Sequence, residues 1–187
     1  MVSSAGAGRN VEAKPEIRGL TLYQPWASAV AEGVKRWENR SWPPPRKMIG
    51  QLVAIHAGKT FDERSAPKVA SLWRGMSEHG PFETGAILAV ARIAGAVCLE
   101  TPTDPIVGGS LRDREMIRSA STDPWIFGPW AWLLTDVKKL ETPIPCRGRQ
   151  RLWRLPEDVE VACLDLVARR DREGPCKITP TETSLGR

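Results

Sequence analysis

Residues 20–40, which read LTLYQPWASAVAEGVKRWENR, decide how this chain is predicted to fold. The run that ends at Tyr23 is typical of a short β-strand, and Pro25 then suits the first turn of a helix. The next apolar residues share one helical face through spacings of three and four: Trp26, Ala29 and Val30. Gly33 fits the position just past the end of a helix. The stretch therefore predicts a strand, a short helix and a second extended segment over residues 35–42.

The remainder of the chain alternates short strand patterns with a few helical ones. Strand patterns lie at residues 51–57, 85–99, 129–140 and 150–155, and helical patterns near 65–73, 111–119 and 156–167. About five or six strands and two or three flanking helices, in non-alternating order, predict an α+β fold. The 16 glycines and 16 prolines favour short, turn-linked strands that close into a small β-barrel.

Length and composition indicate one ordinary globular domain. The chain has 187 residues, of which 41% are apolar and 26% charged, which argues against collagen-like, coiled-coil or wholly disordered chains. No run approaches the ~20 apolar residues of a membrane span, and no secretory signal is present, so a cytoplasmic location is expected. We expect a disordered leader over residues 1–16, the domain over 17–170 and a flexible tail over 171–187.

The cysteines do not form a metal-binding pattern. Their positions are Cys98, Cys146, Cys163 and Cys176. No pair has the C-x-x-C spacing of a zinc site, and neither histidine lies near a cysteine in the sequence. We therefore expect reduced cysteines, no metal and no cofactor.

The positive charge is concentrated in one segment. Residues 138–154 contain six basic residues against one acidic residue, which equals the whole net charge of +5. A local surplus of this kind is typical of a polyanion partner, although a solvated basic strand is the alternative. Arg147, Arg149 and Arg151 alternate on one face of a predicted strand, beside Gly148, where a backbone could approach a ligand closely. They are candidate nucleic-acid-binding residues.

A second polar cluster follows the first helix. Lys35 and Arg40 could bind a phosphate or a carbonyl while Glu38 holds them in place. Alternatively, a desolvated Lys35 beside Glu38 could serve as a general base or nucleophile, because its pKa would fall. The simplest alternative is a surface ion pair between Glu38 and Arg40, worth about 0–1 kcal/mol.

The cluster also resembles a known family. Residues 33–40, GVKRWENR, match the pattern G-x-K-x-x-E-x-R of the ASCH domain family within the PUA-like superfamily. Further segments resemble the family's other elements in the same order: residues 20–28, 51–57, 85–94, 128–132 and 143–148. The resemblance covers roughly residues 18–156. It implies a small β-barrel with a cleft that has the motif at its floor and takes RNA or nucleotide-like ligands.

The resemblance also implies enzymatic alternatives. Some small bacterial members look like amidohydrolases that deacetylate N4-acetylcytidine, and ribonuclease activity is attributed to others. Carried onto this chain, the functional lysine is Lys35. The amidohydrolase branch has a catalytic threonine where this chain has Glu38, so the departure favours binding over deacetylation. For a hydrolase, the candidate catalytic residues are Lys35, Glu38 and His56.

The sequence thus predicts an RNA-binding or modified-nucleoside-binding protein with a basic, tryptophan-containing cleft. The candidate binding residues are Tyr23, Gln24, Lys35, Arg40, Trp42, Arg147, Arg149 and Arg151, of which Tyr23 or Trp42 could stack on a base. His56 ends an apolar strand and is either a neutral buried histidine or a cleft-facing acid/base group. A hydrolase dependent on Lys35 and a protein-interaction module with an acidic partner are the alternatives.

Overall fold

The computed structural model describes residues 17–101, 106–108 and 110–173. The strands are β1 (Arg18–Gln24), β2 (Trp37–Arg40), β3 (Leu52–Phe61), β4 (Ala86–Cys98), β5 (Ile106–Val107), β6 (Trp130–Pro145) and β7 (Leu152–Arg154). The helices are α1 (Trp26–Ala31), α2 (Ala66–Leu72), α3 (Leu111–Arg118) and α4 (Glu157–Glu173). Short 3₁₀ turns occupy Arg46–Met48, Met76–His79 and Ala120–Thr122.

The strands form one mixed sheet. Within the part of the chain that the structure describes, its order is β2-β6-β4-β3-β1-β7, with the two-residue β5 beside β4, and only β1 and β3 run parallel. The long strands β4 and β6 pair with three register shifts along their length. Such irregularities bend and twist a sheet, so these two strands curve around the core. The predicted α+β, PUA-like fold class is confirmed, with one short strand and one helix more than the predicted upper numbers.

The two ends of the sheet meet at a seam that strand pairing does not close. Within the described residues, β7 pairs only with the first part of β1, from Arg18 to Leu20, and β2 pairs only with β6. A side chain bridges the gap instead, because Nη2 of Arg40 on β2 donates to the carbonyl of Thr21 on β1 at 3.0 Å. The predicted barrel is therefore open along one side. Prolines 43–45 end β2 after four residues and supply no N–H for further pairing.

Helix α1 packs against the sheet and fills the core below the seam. The apolar face predicted after Pro25 is buried as expected, and Trp132 from β6 lies fully buried in the same cluster. A second cluster lies on the outer side, where Val159, Cys163 and Leu166 of α4 pack with Trp153. Lys138 pairs with Asp171 and so ties α4 to β6. Of the basic residues in 138–154, Lys138 therefore has a structural contact with α4.

The described residues cover only part of the predicted division into leader, domain and tail. The predicted leader, residues 1–16, lies outside the described residues, as do residues 174–187 of the predicted tail. Helix α4 runs to Glu173, three residues past the predicted end of the domain. Within the described part of the chain, no helix is long and apolar enough to cross a bilayer.

Candidate functional site

The turn after α1 places Lys35 inside the molecule. Gly33 adopts a φ of +72°, which a residue with a side chain rarely reaches. The backbone N–H groups of Val34 and Lys35 then both donate to the carbonyl of Ala29, at 3.0 and 2.9 Å. The chain doubles back tightly, and the Lys35 side chain lies beneath the helix with 1% of its surface exposed.

Lys35, Glu38 and Arg40 form a connected ionic cluster. Nζ of Lys35 donates to Oε2 of Glu38 at 2.6 Å, and Nε of Arg40 lies 3.0 Å from Oε1 of the same carboxylate. Glu38 and Arg40 share one face of β2, as strand alternation predicts, while Trp37 is buried in a separate apolar cluster. The Lys35 ammonium also lies 5.6 Å from the centroid of the Trp26 ring. The carboxylate thus joins two cations at one point.

The burial of Lys35 changes its protonation chemistry. Desolvation lowers the pKa of Lys35 below its usual 10.5, the charge and hydrogen bond of Glu38 oppose that shift, and the nearby Arg40 charge adds to it. Within the described chain, Glu38 is the hydrogen-bond partner of the ammonium, which has three N–H groups to donate. Nε of Arg40 is close to Glu38 but is not aligned for a hydrogen bond. Among the described residues, the cluster thus has N–H groups without an acceptor, and both of its cations line the cleft described next.

A cleft of about 1290 Å³ opens along the seam above this cluster. Its walls come from the open edge of β1, from β2 and from the loop that joins β6 to β7. Six cationic side chains line it: Lys35, Arg40, Lys59, Arg147, Arg149 and Arg151. Two carboxylates join them, and both are engaged, Glu38 by the cations and Asp62 by Trp26 Nε1 and the Ser65 N–H. The cleft is electropositive and offers mainly hydrogen-bond donors.

The arginine loop, residues 146–151, is irregular, so the predicted strand face for its three arginines is wrong. The loop is held by its backbone, because Thr21 Oγ1 donates to the carbonyl of Arg149 at 2.9 Å. Arg151 then turns the chain into β7 with a φ of +60°. These contacts replace the ladder of hydrogen bonds that a strand would make. All three arginine side chains are exposed and still line the cleft.

His56 is the other anchor of the arginine loop. Its Nε2 lies 3.1 Å from the carbonyl of Cys146 and donates to it in the neutral ring, while Nδ1 is buried and unpartnered. The pKa of His56 is lowered by burial, which the bond to Cys146 opposes. The backbone of Gly148 covers the ring so closely that a Cβ there would come within 2.5 Å of Nδ1. His56 therefore lines the cleft as a neutral, covered ring.

Comparison with known proteins now decides the family. The family model for the ASCH domain matches residues 20–173. This chain belongs to the ASCH domain family. Members of this family commonly bind RNA.

Individual relatives of this ASCH domain are distant. Human Activating signal cointegrator 1 is 23% identical over 150 residues, which are 75% of this chain and 22% of that protein. The chain thus spans about a fifth of that relative's length. The crystal structure of ASCH from Zymomonas mobilis is 16% identical, with a TM-score of 0.45, and the match covers 81% of this chain and 95% of that one. A point mutant of the same protein matches at 15% identity and the same TM-score, covering 81% and 96%.

The ASCH fold brings nearly all the predicted site residues to one cleft. The cleft lining includes Tyr23, Lys35, Glu38, Arg40, Trp42, His56, Arg147, Arg149 and Arg151. Tyr23 is 56% exposed there. Trp42 is half-buried and packs edge-on against Trp132, with 4.6 Å between ring centroids. The predicted residues thus occupy different depths of a single cleft.

Gln24 is the exception among the predicted residues. Its side chain is fully buried, with Nε2 donating to the carbonyl of Glu83 at 2.6 Å and Oε1 accepting from the Ser28 N–H at 3.1 Å. One end of the amide thus holds α1 and the other holds the segment before β4, and Gln24 is outside the cleft lining.

Several cleft residues were not predicted from the sequence, and Phe127 and Asn39 are two of them. Phe127 lies in a stretch without periodicity, and Asn39 occupies an unspecified position of the motif. The one available signal is the Gly128-Pro pair, which marks a turn beside Phe127. Within the described residues, no group of three or more histidine, cysteine, aspartate or glutamate side chains could hold a metal ion.

Proposed function

We propose that this ASCH protein binds RNA or a modified nucleoside in the cleft along the seam. The observation that carries the proposal is the buried Lys35–Glu38–Arg40 cluster, which lines a cleft bordered by exposed arginines and has N–H groups without an acceptor among the described residues. The cluster gives fixed donors at the floor, and the arginines give positive charge at the rim. A cytoplasmic location is part of the same proposal.

The chemistry of the lining favours a ligand rich in acceptors. Guanidinium groups bind phosphate oxygens through paired hydrogen bonds, and an ammonium binds a phosphate or carbonyl oxygen as a compact charge. Both carboxylates that line the cleft already have partners within the protein, so a cationic ligand would gain little binding energy there. Phosphates and base carbonyls suit these donors, and the exposed ring of Tyr23 suits a base face.

The proposal is tested by fluorescence anisotropy with a short, fluorescein-labelled single-stranded RNA of mixed sequence at low and high salt. We expect salt-sensitive binding that Lys35→Met weakens by about tenfold to a hundredfold, the range expected for hydrogen bonds to charged groups. Arg114→Ala on α3 is the matched control, because it removes an exposed cation that does not line the cleft.

Two results would contradict the proposal. Wild-type protein that fails to bind at low salt, or that binds with no dependence on salt, excludes phosphate contacts. Equal competition by polyglutamate would indicate a site for acidic proteins, the interaction-module alternative.

Hydrolysis is a second candidate function, and the lowered pKa of Lys35 is the observation that favours it. A lysine with a lowered pKa reaches its neutral form at a lower pH than an ordinary lysine, and that form can accept a proton from an attacking water or from a ribose 2′-hydroxyl. His56 would have to act through Nδ1, which the Gly148 backbone covers. Incubating wild type and Lys35→Ala with N4-acetylcytidine and with labelled RNA separates the candidates. Turnover that the variant loses indicates catalysis, whereas binding without turnover indicates a reader module.

A further inference from the structure

An exposed aromatic ring lies beside the cleft and has no role in the contacts assigned above. Phe127 lines the cleft with 41% of its surface exposed. Its ring centroid lies 5.5 Å from that of Trp26, and the Lys68 ammonium lies over the Phe127 ring, 4.4 Å from its centroid. Proteins that bind single-stranded nucleic acids use such rings to stack bases, with basic side chains alongside for the phosphates.

The Phe127 ring sits on a fixed support. Its backbone N–H donates to Oδ1 of Asn39 at 3.0 Å, and Nδ2 of the same asparagine donates to the carbonyl of Trp125 at 2.9 Å. Asn39 stands between Glu38 and Arg40 on β2, so the strand that carries the ionic cluster also holds this loop. A ring that is already in place loses little conformational entropy when a ligand binds.

The Phe127 ring and the ionic cluster share Trp26 as a neighbour. The Lys35 ammonium lies 5.6 Å from the Trp26 ring centroid, and the Phe127 ring lies 5.5 Å from the same ring. Both groups are thus neighbours of one indole, and both line the same cleft. The two positions are adjacent but distinct, which suits neighbouring nucleotides of one strand.

We propose that Phe127 stacks on the nucleobase next to the nucleotide held over Lys35, and that Lys68 contacts the phosphate of that second nucleotide. The inference rests on the proposed function and deepens it, because it makes the ligand a single strand rather than a lone nucleoside. Phe127 then contributes to affinity for an oligonucleotide and contributes nothing to affinity for a mononucleotide.

The test measures binding of the labelled mixed-sequence RNA, and of a mixture of nucleoside monophosphates by competition, to four variants. We expect Phe127→Ala to weaken oligonucleotide binding by about tenfold or more, the range found for base stacking, and to leave mononucleotide binding unchanged. Phe127→Trp should keep the oligonucleotide affinity, and Phe127→Leu should lose it. Phe61→Ala is the matched control, since Phe61 is 39% exposed and does not line the cleft.

Three results would overturn the inference while leaving the proposed function intact. Phe127→Ala could bind oligonucleotide as well as Phe61→Ala does, or lose both ligands equally, or Phe127→Leu could bind as tightly as wild type. Each excludes stacking of a neighbouring base. Absence of RNA binding by the wild type, in contrast, overturns the proposed function itself. Lys68→Ala adds an independent measure, because losing one phosphate contact on a single strand lowers the salt slope by about 0.7.

Discussion

The two groups of cations in the cleft are held in opposite ways. Lys35 and Arg40 are fixed through their side chains, which meet at the buried carboxylate of Glu38. The arginine loop is fixed through its backbone, because Thr21 and His56 donate hydrogen bonds to its carbonyls, and its three arginine side chains are exposed. Under the proposed function, a change in the first group should therefore alter both binding and folding, whereas a change in an arginine side chain of the loop should alter affinity with little effect on stability.

Removing the carboxylate of Glu38 should have the largest effect. Glu38→Ala leaves the buried Lys35 ammonium without its partner, so we expect a loss of about 3–5 kcal/mol in the free energy of unfolding, measured by urea titration. Asp171→Ala is the matched control, because it removes the carboxylate of an exposed pair, worth about 0–1 kcal/mol. Equal losses in the two variants would show that burial of the cluster carries no special weight.

A methyl group added at Gly148 should have the second-largest effect, and it acts on the arginine loop. The added Cβ would lie 2.3 Å from Cε1 of His56 and 2.8 Å from Oγ1 of Thr21, so the arginine loop must move. We expect Gly148→Ala to destabilise the fold by about 1–3 kcal/mol and to weaken RNA binding. The comparison variant is Gly80→Ala, where the nearest atom to the added Cβ is 4.0 Å away. Unchanged RNA affinity would mean that the position of the loop does not matter.

The difference in pH dependence of stability between wild type and a Lys35 variant reports on the buried cluster. Because the pKa of Lys35 is lowered in the folded protein, the unfolded chain holds more protons between that lowered value and 10.5. Stability attributable to this group therefore rises with pH through that window. Urea titrations at neutral and alkaline pH should show that the free energy of unfolding of wild type rises relative to that of Lys35→Met as the pH increases. A constant difference between the two proteins would mean that Lys35 titrates normally.

Shortening one arginine of the loop should change stability least. Arg149 uses its backbone carbonyl, not its guanidinium, to accept from Thr21, so Arg149→Ala keeps that bond. We expect a stability change within about 0.5 kcal/mol and a salt slope for RNA binding lower by about 0.7. Gln150→Ala, in the same loop, should change neither quantity. A large loss of stability in Arg149→Ala would erase the contrast between the two groups.

The sequence predicts the buried group better than the loop group. The spacing of Glu38 and Arg40 indicates a shared strand face, and the helix before Gly33 limits where Lys35 can lie. The alternating arginines look like a strand, but their alternation involves charges only, with no apolar face to bury against the core. Irregular chain can carry that pattern equally well. The arginines nevertheless reach the cleft, because the loop is short and begins and ends on paired strands.

Closure of the sheet and the role of Asn39 depend on contacts between distant segments. Whether β1 and β2 pair is decided by where β6 and β3 carry them, which no local pattern encodes. Asn39 holds residues 125 and 127, more than eighty positions away in the chain. Phe127 itself has no periodic neighbours, so only the folded structure shows its place beside the cleft.

The bridge between Arg40 and Thr21 also bears on self-association. Unpaired strand edges are sites where a second copy can add a strand and begin to aggregate. Here the unpaired edge of β1 faces the positively charged cleft, and the carbonyl of Thr21 on that edge already accepts a hydrogen bond from Arg40. An incoming edge from another copy would carry the same arginines and would be repelled. The positive charge along the cleft thus disfavours strand addition at this edge of β1.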